Sequence, residues 1–152
     1  MYGVWMLFGK RKRVVNRILI VEDEPLIAFD NGVMLGDLGY EVVATLDSFE
    51  DATELLDREK IDLIVSDYRL KSRKTGLDLA RAAKNRGVAI LFCTGHKLPK
   101  ESMQLALGCI KKPYSERTLK LALEAVDKHL SGGRAKPPKG VELFVASQPK
   151  TD

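Results

Sequence analysis

The sequence predicts an α/β fold, a doubly wound sheet of five parallel strands flanked by about five helices, and three observations lead there. Short apolar, β-rich runs alternate with stretches of helical periodicity five times within about 115 residues. The runs show no polar alternation, so their strands are covered on both faces. Right-handed crossovers then leave a doubly wound sheet as the solution.

The elements follow in order. Arg17–Glu22 (RILIVE) is too short for a helix and reads as a buried strand. Pro25 suits a first helical turn, and Leu26, Phe29 and Val33 recur at helical spacing up to Gly39. Gly32 and Gly36 weaken that helix by roughly 1 kcal/mol each relative to Ala. Glu41–Leu46 is a second strand, and Ser48 with Asp51 predicts a capping box ahead of Ala52, Leu55 and Leu56. Ile61–Ser66 is the third strand. Arg69–Thr75 is a polar loop, and Leu77–Arg86 is a helix stopped by Gly87. Val88–Cys93 is the fourth strand, Glu101–Leu107 a short helix, and Cys109–Lys111 the fifth strand. Ser115 caps a last helix through Leu130, and Gly132, Gly133, Pro137 and Pro138 open a tail. The expected division is a basic arm over 1–16, one domain over 17–131 and a tail over 132–152. Within the tail, Val141–Val145 (VELFV) is compatible with an added strand or with a mobile segment.

Composition narrows the function. The 152 residues are 45% apolar and 30% charged, enough to bury a core. No apolar run reaches the ~20 residues of a membrane span. Met1–Phe8 is apolar, but the basic residues Lys10–Arg13 follow it, the reverse of a secretory signal. With two cysteines, no disulfide framework is expected, and a cytoplasmic protein with reduced thiols is. The formal charge of +4 comes from the ends: residues 18–131 hold 16 bases against 19 acids. The domain itself therefore has no nucleic-acid-binding signature.

In doubly wound sheets function gathers beyond the carboxyl ends of the strands. This chain places Glu22, Asp23 and Glu24 after the first strand, Asp67 after the third, Thr94 after the fourth and Lys112 after the fifth. Carboxylates gathered in one crevice repel unless a cation shares the site. Oxygen ligands select a hard ion, Mg²⁺ or Mn²⁺. A divalent cation, a lysine and a hydroxyl converging on an aspartate suit phosphoryl transfer.

ILIVEDEPLI, IDLIVSDYRL, ILFCTGH and CIKKPYS together resemble the receiver domain of two-component response regulators, over about residues 17–130. The resemblance implies a flavodoxin-like sheet of order 2-1-3-4-5. It makes Asp67 the phosphoacceptor and Asp23 a direct metal ligand. Glu22 acts on the metal mostly through water, and the Arg69 carbonyl completes the coordination. Thr94 and Lys112 meet the phosphoryl oxygens, and Lys112–Pro113 is a cis peptide. The resemblance further implies a sensor histidine kinase or histidine phosphotransfer protein as donor, a downstream protein partner, and no metabolic substrate. Three residues before the lysine, most receivers carry a switch Tyr or Phe; here the residue is Cys109. Phe92-Cys93-Thr94-Gly95 and Lys112-Pro113-Tyr114 resemble instead the FAT GUY subgroup, largely single-domain regulators of bacterial general-stress signalling. Signal transmission is then expected through the loop after Thr94 and the short helix behind it. The competing reading is a phosphorylation-independent pseudo-receiver that serves as a binding module. A phosphohydrolase reading is disfavoured because Arg69 occupies the place of the second acid.

Overall fold

A computed structural model describes residues 12–71 and 73–144; Met1–Arg11, which include most of the basic arm, and residues 145–152 lie outside the described residues. Its elements are β1 (Arg17–Val21), α1 (Pro25–Asp37), β2 (Glu41–Leu46), α2 (Phe49–Arg58), β3 (Leu63–Asp67), α3 (Gly76–Asn85), β4 (Ala89–Thr94), α4 (Ser102–Leu105), β5 (Gly108–Lys111), α5 (Glu116–Leu130) and β6 (Val141–Leu143). The sheet order is β2-β1-β3-β4-β5-β6. β1 to β5 are parallel, as expected from their apolar character, and β6 adds an antiparallel edge to β5.

The missing polar alternation has a direct cause. Along β1, Ile18 and Ile20 enter a core with Leu35, Leu119 and Leu123, from α1 and α5. Leu19 and Val21 enter a second core with Ala52, Leu55 and Leu79, from α2 and α3. Both faces bury apolar side chains, so Ile18–Val21 is apolar without a break. Among the described residues no helix is long and apolar enough to cross a membrane.

The structure adds three points to the sequence reading. α1 does not bury Leu26, Phe29 and Val33, which are 78%, 68% and 45% exposed; Ala28, Asn31 and Leu35 face inward instead. The helix is apolar nearly all round, so periodicity alone could not choose the face. Leu35→Ala should therefore cost about 2–5 kcal/mol, whereas Phe29→Ala should change stability by no more than about 0.5 kcal/mol. Chemical denaturation of the two variants checks this. Second, Ser48 Oγ accepts the Asp51 N–H at 3.1 Å, but the two-way capping box is at Thr75 and Asp78, where α3 begins. Third, the folded unit takes in residues on both sides of 17–131. Asp127 Oδ1 accepts the Val14 and Val15 N–H groups, both at 2.8 Å. Val141–Leu143 resolves the choice left open for the tail by pairing with β5.

Candidate functional site

Parallel register sets the ends of the central strands side by side: Val21 opposite Ser66, Asp67 opposite Cys93, and Thr94 opposite Lys111. The residues just beyond them form one cluster. One carboxylate oxygen from each of Glu22, Asp23 and Asp67 lies within 4.8 Å of the others. Lys112 Nζ donates to Glu22 Oε1 at 3.0 Å and lies 3.4 Å from Asp67 Oδ2. Glu22 Oε2 accepts the Glu24 N–H at 3.1 Å, and Asp67 Oδ1 accepts the Arg69 N–H at 3.3 Å. Asp23 and Asp67 are partly exposed, so the cluster opens to solvent, while Glu22 forms its buried floor. Glu24, the third acid of the run, is exposed and lies outside the carboxylate cluster.

The electrostatics follow from that layering. Burial holds the Glu22 carboxyl above its ordinary 4.5, and the bonds from Lys112 and Glu24 only partly offset it. Burial also works against charge on Lys112, but its bond to Glu22 and the adjacent Asp67 outweigh it and raise the ammonium above its ordinary 10.5. The lysine is thus a fixed cation between two carboxylates. Three oxygen donors and no sulfur or imidazole fit a hard divalent ion. The exposed Arg69 follows Asp67 at the rim through its backbone.

Thr94 arrives at the same edge with its hydroxyl turned into its own loop. Its Oγ1 accepts the His96 N–H and donates to the His96 carbonyl, both at 3.1 Å. Its carbonyl accepts the Lys112 N–H at 2.9 Å, which ties the threonine strand to the lysine. The Lys112–Pro113 peptide is cis, as the resemblance implied.

One positioning pair escaped the sequence reading. Tyr114 OH donates to Asn31 Oδ1 at 2.7 Å, joining the turn after Lys112 to α1. Asn31 is 3% exposed; a polar residue on the buried face of α1 becomes visible only once that face is known. Beside it, burial pushes the Cys93 thiol from 9.0 up to about 12. Its thiolate fraction is thereby cut about a thousandfold. Native protein at pH 8 should leave Cys93 unalkylated by iodoacetamide, while denatured protein takes up label at both cysteines, as read by intact mass.

The fold and this cluster are those of a response regulator receiver domain. Residues 18–124 match the response regulator receiver domain, and the chain belongs to that family. It is 31% identical over 116 residues to the transcriptional regulatory protein PdtaR of Mycobacterium tuberculosis, covering 73% of this chain and 56% of that protein. The solved response regulator PhyR of Brucella abortus superposes with a TM-score of 0.67 at 27% identity, over 80% of this chain and 51% of that one. The receiver domain of a sensor histidine kinase of Pseudomonas aeruginosa, solved with a magnesium ion coordinated in its active-site cleft, gives 0.64 at 26% identity, over 73% and 96%. The chain thus spans about half the length of PdtaR and of PhyR.

Proposed function

We propose that this receiver takes a phosphoryl group on Asp67 from a sensor histidine kinase or histidine phosphotransfer protein and answers by changing its contacts with a protein partner. The observation that carries the reading is Lys112 Nζ set between Glu22 and Asp67 beside the free rim of Asp23. In the transfer, an Asp67 oxygen bonds to phosphorus as the donor's P–N bond breaks, and the imidazole keeps that electron pair. Lys112 supplies a positive charge that needs no reorganisation as negative charge gathers on the phosphoryl oxygens. Asp23 and Asp67, with Glu22 and the Arg69 carbonyl behind them, would hold Mg²⁺ or Mn²⁺. That ion neutralises charge shared by carboxylates and phosphate.

Cys109 offers no ring to swing inward, so the response is assigned to Thr94. Its hydroxyl must leave the His96 turn to reach a phosphoryl oxygen, and that release pulls on the Thr94–Pro99 loop. α4 behind it is a single turn, and Ser102 Oγ is buried with no hydrogen-bond partner. A buried unpaired hydroxyl costs about 1–3 kcal/mol, so a changed register that satisfies it is accessible. The protein turns over no metabolic substrate in this reading and acts in the cytoplasm, where its donors are.

Phosphotransfer from a small-molecule donor tests the proposal. With Mg²⁺ a phosphate adduct should form. Excess chelator should lower its rate by at least about 10²-fold, since the carboxylates then stand uncompensated against the incoming phosphate. Undiminished transfer in chelator would contradict it. No adduct under any metal condition would favour the pseudo-receiver, in which the domain only binds.

A further inference from the structure

β5 would be an open sheet edge without β6, and β6 is a slight occupant. It is three residues long and pairs Gly108 with Leu143, Cys109 with Glu142, and Ile110 with Val141. Two bonds bracket it: Phe144 N–H to the Leu107 carbonyl and Lys111 N–H to the Gly140 carbonyl, both 2.8 Å. The backbones close tightly, because a Cβ on Gly108 would lie 2.0 Å from the Glu142 carbonyl oxygen. Any larger residue at 108 would push the strand off.

Val141 and Phe144 are buried and Val141 joins the first core, but the packing beside them is open. Phe144 stands between two open grooves of about 680 and 610 Å³. The second runs from β6 to the loop carrying Thr94, His96 and Lys97, so the strand borders the loop assigned to move. β6 is attached through residues 131–140, which contain no helix or strand and hold Gly132 and Gly140 at φ of +88° and +89°. A short edge strand on such a tether opens locally far below the cost of global unfolding.

We infer that β6 is a displaceable occupant of a strand-docking seat on β5, and that the seat accepts an extended segment of a protein partner in its place. The seat itself states the chemistry of that segment. Apolar residues at the Val141 and Leu143 positions flank an acidic one, an aromatic follows, and Lys97 and Lys111 line the adjoining groove. Main-chain bonds to β5 supply affinity and the alternate side chains supply selectivity. This deepens the proposed function by naming where a partner attaches, but the seat can be tested without phosphorylation.

The probe is a labelled peptide copying residues 137–147, added to the full chain. Peptide titration should shift the backbone NMR signals of Gly108–Lys111, and β6 amides should exchange at least about 100-fold faster than those of β4. Glu142→Cys places a second thiol directly across from Cys109, within disulfide reach for facing antiparallel residues. Oxidation should suppress peptide binding at least about tenfold, because the seat is then held by its own strand at high effective concentration. Reduction should restore it. Gly108→Ala should release β6 and abolish peptide binding together. Binding that is indifferent to the disulfide, absence of binding at millimolar peptide, or β6 amides as protected as β4 would each overturn the inference. None of these outcomes depends on Asp67, so failure here and failure of phosphotransfer are separable.

Discussion

Asp67→Asn is expected to abolish the phosphate adduct while leaving the fold intact. The amide matches the carboxylate in shape but lacks the oxygen nucleophile, and its carbonyl can still accept the Arg69 N–H that Asp67 Oδ1 accepts. One negative charge also leaves the cluster with Glu22 and Asp23, so stability without metal should hold or rise. Intact-mass analysis after incubation with a phosphodonor reads the outcome. An adduct of undiminished yield on the variant would remove Asp67 from the mechanism. An adduct that moves to Asp23 would show that the cluster, rather than one position, sets reactivity.

Lys112→Met is expected to give the second large effect. The methionine keeps the bulk of the stem but deletes the charge between Glu22 and Asp67. Losing one preorganised charge donor costs about 10²–10³ in rate, so phosphotransfer should fall by that factor with the metal still required. The variant should also move the stability profile. In the native protein Glu22 sits above its ordinary pKa, so its favourable contribution is complete below about 4.5 and is lost as pH rises through the raised value. Lys112 is raised as well, so its contribution is present at neutral pH and is lost only as pH climbs through its raised value. Without the lysine, Glu22 loses its largest offset to burial and is pushed further up. Metal-free Lys112→Met should therefore be destabilised most near neutral pH and least in mild acid. Denaturation midpoints at pH 5 and pH 7.5 compare the two. A uniform loss at both values would mean that Lys112 acts through packing and not through Glu22.

Much of the site is legible from the sequence because a parallel strand has a direction. Once RILIV, LIVSD and AILFCT are read as strands of one sheet, Glu22, Asp67 and Thr94 must fall at the same edge, and Lys112 follows β5 to it. Geometry adds what no spacing contains. Lys112 bonds to Glu22 more closely than to Asp67, at 3.0 against 3.4 Å. The Thr94 hydroxyl is held by His96, and Asn31 braces Tyr114 from α1. Each of these joins side chains whose meeting depends on rotamer choice and on which helix face is turned inward.

The sequence by itself determined the kind and order of the first five strands and their helices, the absence of a membrane-spanning helix among the described residues, and the strand ends that carry the carboxylates. Those are local properties: apolar run length, helical period and capping chemistry act within a few residues of one another. Tertiary structure decided that Leu26, Phe29 and Val33 stay outside while Asn31 goes in. It decided that Val15 is sealed against Asp127, and that VEL completes the sheet on β5 rather than trailing away. An α1 that is apolar nearly all round, and a three-residue segment with no period to read, leave these choices to competition between distant surfaces. The edge of β5 offered unpaired backbone groups, and Gly108 offered the room for a strand to reach them.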